Sequence, residues 1–305
     1  MIKQNIKNKY VFLGDTDSIN IEIIIKSFKK SKHKVQYIIL CNIKEFKKSN
    51  IFKKSKILIN EILNPINFEN YKKSCINIFD IKDVSKKKYL NLLNQINVGN
   101  QLANSTGFDL ITMPINKSTF KKEIEFIGMT EYLGSINKKK TFMLMYGDLF
   151  SIIPLTTHIN LKEVHKFIKL NKLKSLLNNI FKNLNKLNSR LKFKNINFIC
   201  YNPHCSEDKT LGNEDFLINK IIKKYKKIKG IFPADSAFKK FEKNTLFLST
   251  YHDQALIPFK ILNKKSLNLT VGLNYQRLSP SHGTAKDLKN KNRADLSSYL
   301  TCLLF

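Results

Sequence analysis

Apolar positions along this chain follow two periods. Short, nearly continuous apolar runs recur at residues 10–13, 35–40, 57–60, 76–81, 108–113, 141–147, 151–157, 195–201, 245–250 and 267–273, and they read as strands. Runs apolar on both faces suit a parallel sheet covered by helices, whereas a half-exposed strand alternates. Between them, Leu161, Val164, Phe167 and Ile168, then Leu173, Leu176, Leu177, Ile180, Phe181 and Leu184, recur at helical spacing. That spacing predicts one long helix or a helix pair. No repeat of fixed period and no linker rich in Pro, Gly or Ser interrupts the pattern. Alternating strands and helices predict an α/β protein with mainly parallel sheets. This many strand candidates suit two α/β lobes around a cleft better than one sheet.

Composition narrows the class. At 305 residues, 42% of them hydrophobic, the chain can bury one large domain or two ordinary ones. Its formal charge of +31 would suit a nucleic acid or an anionic membrane as partner. The distribution argues otherwise: only Arg190, Arg277 and Arg293 are arginines, and lysine is spread through "KKSKHK", "FKKSKI", "SKKKYL" and "NKKKTF". Specific nucleic-acid readers lean on Arg forks and interleaved aromatics. With Lys, Asn and Ile abundant and Trp absent, the charge reads as a coding bias that fills solvated positions with lysine. No specific nucleic-acid partner is expected. Five cysteines without CxxC spacing argue against a disulfide framework and against a cysteine zinc site. The first residues lack an apolar signal core, and no eighteen-residue apolar run occurs. A soluble, cytoplasmic protein without a membrane partner is expected.

The stretch "STYHDQALIPFK" ends an apolar run on an imidazole, a carboxylate and an amide where a turn residue is usual. In parallel α/β sheets, ligand sites form just beyond the carboxyl ends of strands. His158, His204 and His252 all follow strand candidates directly. Each alone reads as a hydrogen-bonded loop histidine. Their common address points to a divalent cation such as Zn²⁺, Co²⁺ or Ni²⁺, with positions left open for substrate.

The words "MPINKSTF", "GMTEYLG", "PLTTHINLKEV", "YNPHCSEDKTLGNED", "FPADSAF", "TYHDQALIPFK", "LNLTVGLNYQR" and "SPSHGTAKDL" occur in that order. Together, from about Phe108 to Asp295, they closely resemble the 4-hydroxythreonine-4-phosphate dehydrogenases of pyridoxal phosphate biosynthesis. The resemblance implies two α/β/α lobes with a cleft between them, like isocitrate and isopropylmalate dehydrogenases. It places the first lobe at 1–125 plus about 275–305 and the second, carrying most of the metal and substrate site, at 126–274. It implies a homodimer with its site near the subunit interface. The implied reaction is NAD⁺-dependent oxidation of the C3 hydroxyl of 4-phosphooxy-L-threonine, then loss of CO₂ to give 3-amino-2-oxopropyl phosphate. The implied metal, Zn, Mg, Mn or Co, falls on His158, His204 and His252, one of them from the neighbouring subunit, with His252 the candidate. The substrate contacts map to Met129, Thr130, Lys260, Asn268 and Arg277, and the NAD-side loop to His282 and Asp287. Catalytic candidates are Asp253 and Asp235, each able to hold a ligand imidazole, the substrate amine or a proton, and Lys117, which matches the family's word. Helix N-capping is the plain alternative for both aspartates, and capping around Ser118 for Lys117.

Three departures from the family's words carry expectations. Met129 stands where the family has histidine, so one substrate hydrogen bond is lost. In "GDTDSINIE", Ser18, Asn20 and Ile21 replace the family's Gly and Pro turn residues. In "HGTAKDLKNKNRAD", Asn290 and Asn292 stand where the family has glycines, and Asn tolerates left-handed backbone better than most residues. Two alternatives remain open at this level. One is a related dehydrogenase of another 4-phosphorylated sugar acid such as threonate or erythronate phosphate. The other is a degenerate member that binds polyanions through its lysines.

Overall fold

The computed structural model describes residues 8–31, 35–120, 126–187, 191 and 193–305. Arg190 and the end of the lysine-rich run 29–34 lie outside the described residues. Twelve strands are formed among them: β1 (Lys9–Phe12), β2 (Tyr37–Cys41), β3 (Ile59–Glu61), β4 (Ile76–Asp80), β5 (Asp109–Thr112), β6 (Phe142–Gly147), β7 (Phe150–Pro154), β8 (Asn195–Ile199), β9 (Ile228–Phe232), β10 (Thr245–Ser249), β11 (Ser266–Val271) and β12 (Arg277–Pro280). The chain divides into two compact units, Met1–Phe126 with Leu273–Phe305, and Ile127–Gly272.

The first unit has strand order β3-β4-β2-β1-β5-β12, and its neighbouring strands pair in parallel. Every residue of β1 and β2 is buried, as their continuous apolar runs require. The one charge inside β1, Lys9, sits opposite Asp109 of β5, and its ammonium meets that carboxylate at 2.7 Å with both side chains 1% exposed. A buried cation needs such a partner.

The second unit runs β11-β6-β7-β10-β8-β9. β6 is antiparallel to both β11 and β7, while β7, β10, β8 and β9 are parallel. The apolar pattern at 161–184 resolves into a 3₁₀ turn Leu161–Glu163, a short helix His165–Ile168 and a long helix Leu170–Leu187. The break falls at Lys169, whose ψ of 139° no helix can carry. Leu173, Leu177, Ile180 and Leu184 form the buried stripe of the long helix. The core of this unit is aromatic, with Phe150 of β7 surrounded by Phe238, Phe241, Phe247 and Phe259.

Ten strands coincide with the apolar runs; β9 and β12 do not. β9 reads "IKGIF", and Lys and Gly are poor strand formers. It forms by pairing with β8, through a register shift between Ile196 and Phe198. β12 reads "RLSP", only four residues, with an arginine 5% exposed at its head. Tertiary pairing, not local preference, makes both. No helix among the described residues is long and apolar enough to cross a membrane.

Candidate active site

β10 lies between β7 and β8, parallel to both, with Ser249 level with Pro154 and Leu248 level with Phe198. Neighbouring strands stand about 4.8 Å apart, so three chain exits fall within roughly 10 Å along one sheet edge. From these exits come the three histidines. His158 follows β7, His204 follows β8, and His252 opens the helix His252–Leu262 after β10. The rings of His158 and His252 lie side by side with centroids 5.8 Å apart.

Both rings are oriented by carboxylates. His158 Nδ1 is 3.1 Å from Glu131 Oε1, and His252 Nδ1 is 2.8 Å from Asp253 Oδ1. A carboxylate on Nδ1 fixes the proton there and leaves Nε2 with its lone pair, the arrangement metal-ligating imidazoles use. Asp253 thus touches a ligand candidate. His204 is exposed on its own loop, and among the described residues no group of three His, Cys, Asp or Glu side chains is gathered at metal-holding distance.

Glu131 escaped the sequence reading, although it follows Thr130 in the "GMTE" word. It lies in the first turn of the helix Met129–Ile136, and its Oε1 also accepts a 2.9 Å hydrogen bond from the Thr157 hydroxyl. Its Oε2 is buried without a partner. Gly128 makes room for it: a Cβ there would stand 2.5 Å from Oε2 and 3.0 Å from the His158 ring. Burial alone would raise the Glu131 carboxyl. Hydrogen bonds from His158, from its own backbone N–H and from Thr157, with the charge of a protonated His158, outweigh burial and hold it at about 2. Glu131 is therefore an anion beside the His158 ring.

The His204 loop is strained. From His204 to Lys209 six successive non-glycine residues have positive φ, between 43° and 80°. Left-handed backbone costs an L-residue about 1–2 kcal/mol. Asp215 holds the loop, accepting from the Tyr201 N–H (2.6 Å), the Asn202 N–H (2.9 Å) and the Ser206 hydroxyl (2.8 Å). Glu207, exposed with φ 43°, makes no side-chain hydrogen bond among the described residues, so Glu207→Gly relieves strain without removing one of their contacts. Glycine's greater unfolded-state entropy offsets part of that gain. The variant should be more stable by about 0.5–1 kcal/mol, read as a higher denaturant midpoint at unchanged slope; a lower midpoint would contradict the strain argument.

The remaining candidates divide by unit. In the second, the Thr130 hydroxyl meets that of Thr270 at 2.9 Å. Asn268 shares the Thr270 face of β11, and its amide oxygen is buried and unpartnered. Met129 is the half-buried first residue of its helix. Lys260 is exposed, seven residues after Asp253 on one helix, which puts both on one face about 10 Å apart. Asp235 is exposed within a series of turns after β9, and since no helix follows it, it caps none. In the first unit, Lys117 is exposed on the 3₁₀ turn Lys117–Thr119, whose capping side chain is that of Asn116. Arg277 is buried, with its Nε 2.8 Å from the Thr112 hydroxyl.

His282 and Asp287 belong to the first unit's closing loop, where Asn290 and Asn292 take φ of 64° and 58°, in the left-handed region. Lys286 and Lys289 both clamp Asp17, at 3.0 and 2.8 Å, and hydrogen bonds from these lysines, with their charge, draw its carboxyl down to about 2. The loop is thereby tied to the "GDTDSINIE" turn. Thr16, Ser18, Ile21, Lys289 and Asn290 line a cavity of about 210 Å³ there. His282 Nδ1 is 2.9 Å from the Gly283 carbonyl, to which it donates, and burial lowers the ring's pKa. Its Nε2 is buried and without a partner among the described residues. Asp287 is exposed.

Comparison with known proteins gives a consistent result. The family model "Pyridoxal phosphate biosynthetic protein PdxA" matches residues 12–305. A 4-hydroxythreonine-4-phosphate dehydrogenase of Sulfurihydrogenibium sp. is 30% identical over 308 residues, 94% of this chain and 94% of the relative. One from Hydrogenobaculum sp. is 37% identical over 193 residues, 62% of this chain and 61% of the relative. The crystal structure of the Klebsiella pneumoniae 4-hydroxythreonine-4-phosphate dehydrogenase superposes with a TM-score of 0.81 at 22% identity, covering 97% of each chain, a likeness of fold.

Proposed function

The chain belongs to the PdxA family of pyridoxal phosphate biosynthetic proteins, and from that premise we propose that it is an NAD-dependent 4-hydroxythreonine-4-phosphate dehydrogenase. A hydride leaves C3 of 4-phosphooxy-L-threonine for NAD⁺ and the hydroxyl proton is released. The C1–C2 bond of the resulting 3-oxo acid then breaks, CO₂ leaves, and its electron pair stays on C2 until a proton arrives, giving 3-amino-2-oxopropyl phosphate. The observation that carries this reading is the pair of imidazoles at the ends of β7 and β10, each with Nδ1 held by a carboxylate.

His158 and His252 fit a divalent cation, since their Nε2 atoms keep their lone pairs, and His204 would be the third ligand, with one of the three, His252 the candidate, coming from the neighbouring subunit of a homodimer. Imidazole donors favour Zn²⁺ or Co²⁺ over Mg²⁺. A cation held there supplies positive charge that lowers the pKa of a bound hydroxyl and polarises a carbonyl. Glu131 keeps the His158 ring in place. Asp253 fixes His252 and has a second oxygen for the substrate ammonium or a proton, with Asp235 as a further proton carrier. Lys260, Thr130 and Asn268 serve the phosphate and carboxylate, while Arg277 of the first unit, a planar fork that lysine cannot match, is held by Thr112.

His282 fits the dinucleotide because a buried, unfilled acceptor suits a ribose hydroxyl, and Asp287 lies on the same loop. All five cysteines are free thiols, consistent with a reducing cytoplasm.

Met129 favours keeping one relative in view, a dehydrogenase of 4-phosphorylated threonate or erythronate, since its thioether offers that position almost no hydrogen bond. Comparing kcat/KM for 4-phosphooxy-L-threonine with those two acids decides. The amino acid should lead by at least about tenfold, the worth of one buried polar contact. A lead by either sugar acid would replace this substrate assignment.

A further inference from the structure

Gln254, the last residue of the "YHDQ" word, stands two residues beyond His252 in the first turn of the helix His252–Leu262. Its amide is the centre of a hydrogen-bond net. Oε1 accepts from the Ser249 hydroxyl (2.7 Å), the Thr250 N–H (3.1 Å) and the Thr250 hydroxyl (3.0 Å). Nε2 donates to the Cys200 carbonyl at 2.7 Å. Cys200 directly follows β8, Ser249 closes β10, and Thr250 directly follows it. Thr250 extends the net to the third strand, for its carbonyl accepts from the Thr156 hydroxyl at 2.7 Å. Thr156 lies between β7 and His158.

One amide and one threonine therefore tie the three strand exits that carry His158, His204 and His252. The backbone ladder alone does not do this, because pairing stops at Ser249 and the histidines lie beyond it. Ser249 and Thr250 are almost wholly buried, so the net is shielded from water and its donors have no ready substitute.

We propose that Gln254 is a positioning residue of the metal centre, setting the separation of the turns that present the three imidazoles. It acts through Cys200, Thr250 and Thr156 and touches neither metal nor substrate. Glutamine suits the task because it donates and accepts from one planar group. Leucine of similar volume can do neither, and an ionised glutamate can only accept.

The inference rests on the metal reading above, and the test separates the two. Native protein, Gln254→Leu and Gln254→Glu are titrated with Co²⁺, following both the dissociation constant and the visible absorption that reports cobalt geometry. Partners one step removed from a ligand typically govern affinity by about 10- to 100-fold, and the leucine variant should lose that much, with a changed cobalt spectrum. Gln254→Glu keeps the acceptor for Thr250 and loses only the donation to Cys200. It should also bind more weakly, and it carries the test if the leucine variant does not fold. Native-like affinity and spectrum in a folded variant, with cobalt bound by the native protein, would overturn the role of Gln254 alone. No cobalt uptake by the native protein would overturn the metal reading and this inference with it.

Discussion

His252→Ala should lower NAD⁺-dependent turnover of 4-phosphooxy-L-threonine by at least about a hundredfold and weaken Zn²⁺ or Co²⁺ binding by a similar factor. Removing a residue one step from a metal already costs about 10- to 100-fold, and loss of a ligand itself costs more. The ring is about one-third exposed, its Nδ1 is held by Asp253, and it lies beside His158, so its deletion leaves two carboxylate-oriented positions reduced to one. The fold should survive, because the buried residues of its helix are Ala255 and Phe259, not His252. A paired measurement of metal affinity and melting temperature checks this. Full turnover in the alanine variant would remove His252 from the site.

Phe150→Ala should be the most damaging core change in the second unit. The ring centroid lies 5.5, 5.1, 5.2 and 5.7 Å from those of Phe238, Phe241, Phe247 and Phe259, mostly edge to face. Truncating a buried phenylalanine costs about 3–5 kcal/mol through lost transfer energy and the cavity left behind, and edge-to-face pairs add to it. A fall in Tm of roughly 6–20 °C is expected. Function should suffer too, since Phe259 belongs to the helix that begins at His252 and Phe150 begins the strand that leads to His158. A loss below about 1 kcal/mol in denaturant unfolding would mean the cluster repacks freely.

How legible this was depended on where each signal lay. Continuous apolar runs mark buried parallel strands because both faces need covering, and ten strands stood out for that reason. β12 did not, because "RLSP" owes its place to pairing with β5 and to the bond between Arg277 and Thr112. The three histidines stand at strand ends, where ligands bind, and Asp253 adjoins His252, but partners distant in sequence gave no such sign. Glu131 reaches His158 across 27 residues of sequence, and Gln254 reaches Cys200 across 54. No local pattern encodes such contacts. The left-handed run from His204 was equally hidden, since its residues are not the glycines that such backbone usually demands. Asn290 and Asn292 were readable, because asparagine is one of the few side chains suited to that conformation.

The central claim is that this chain oxidises a phosphorylated hydroxy amino acid at a histidine-held metal. The direct measurement is NADH formation from NAD⁺ and 4-phosphooxy-L-threonine, before chelation, after chelation, and after return of Zn²⁺, Co²⁺, Mn²⁺ or Mg²⁺. Turnover should vanish with the chelator and return with metal, best with Zn²⁺ or Co²⁺. Turnover indifferent to the chelator, or none with any metal from a folded protein, would contradict it.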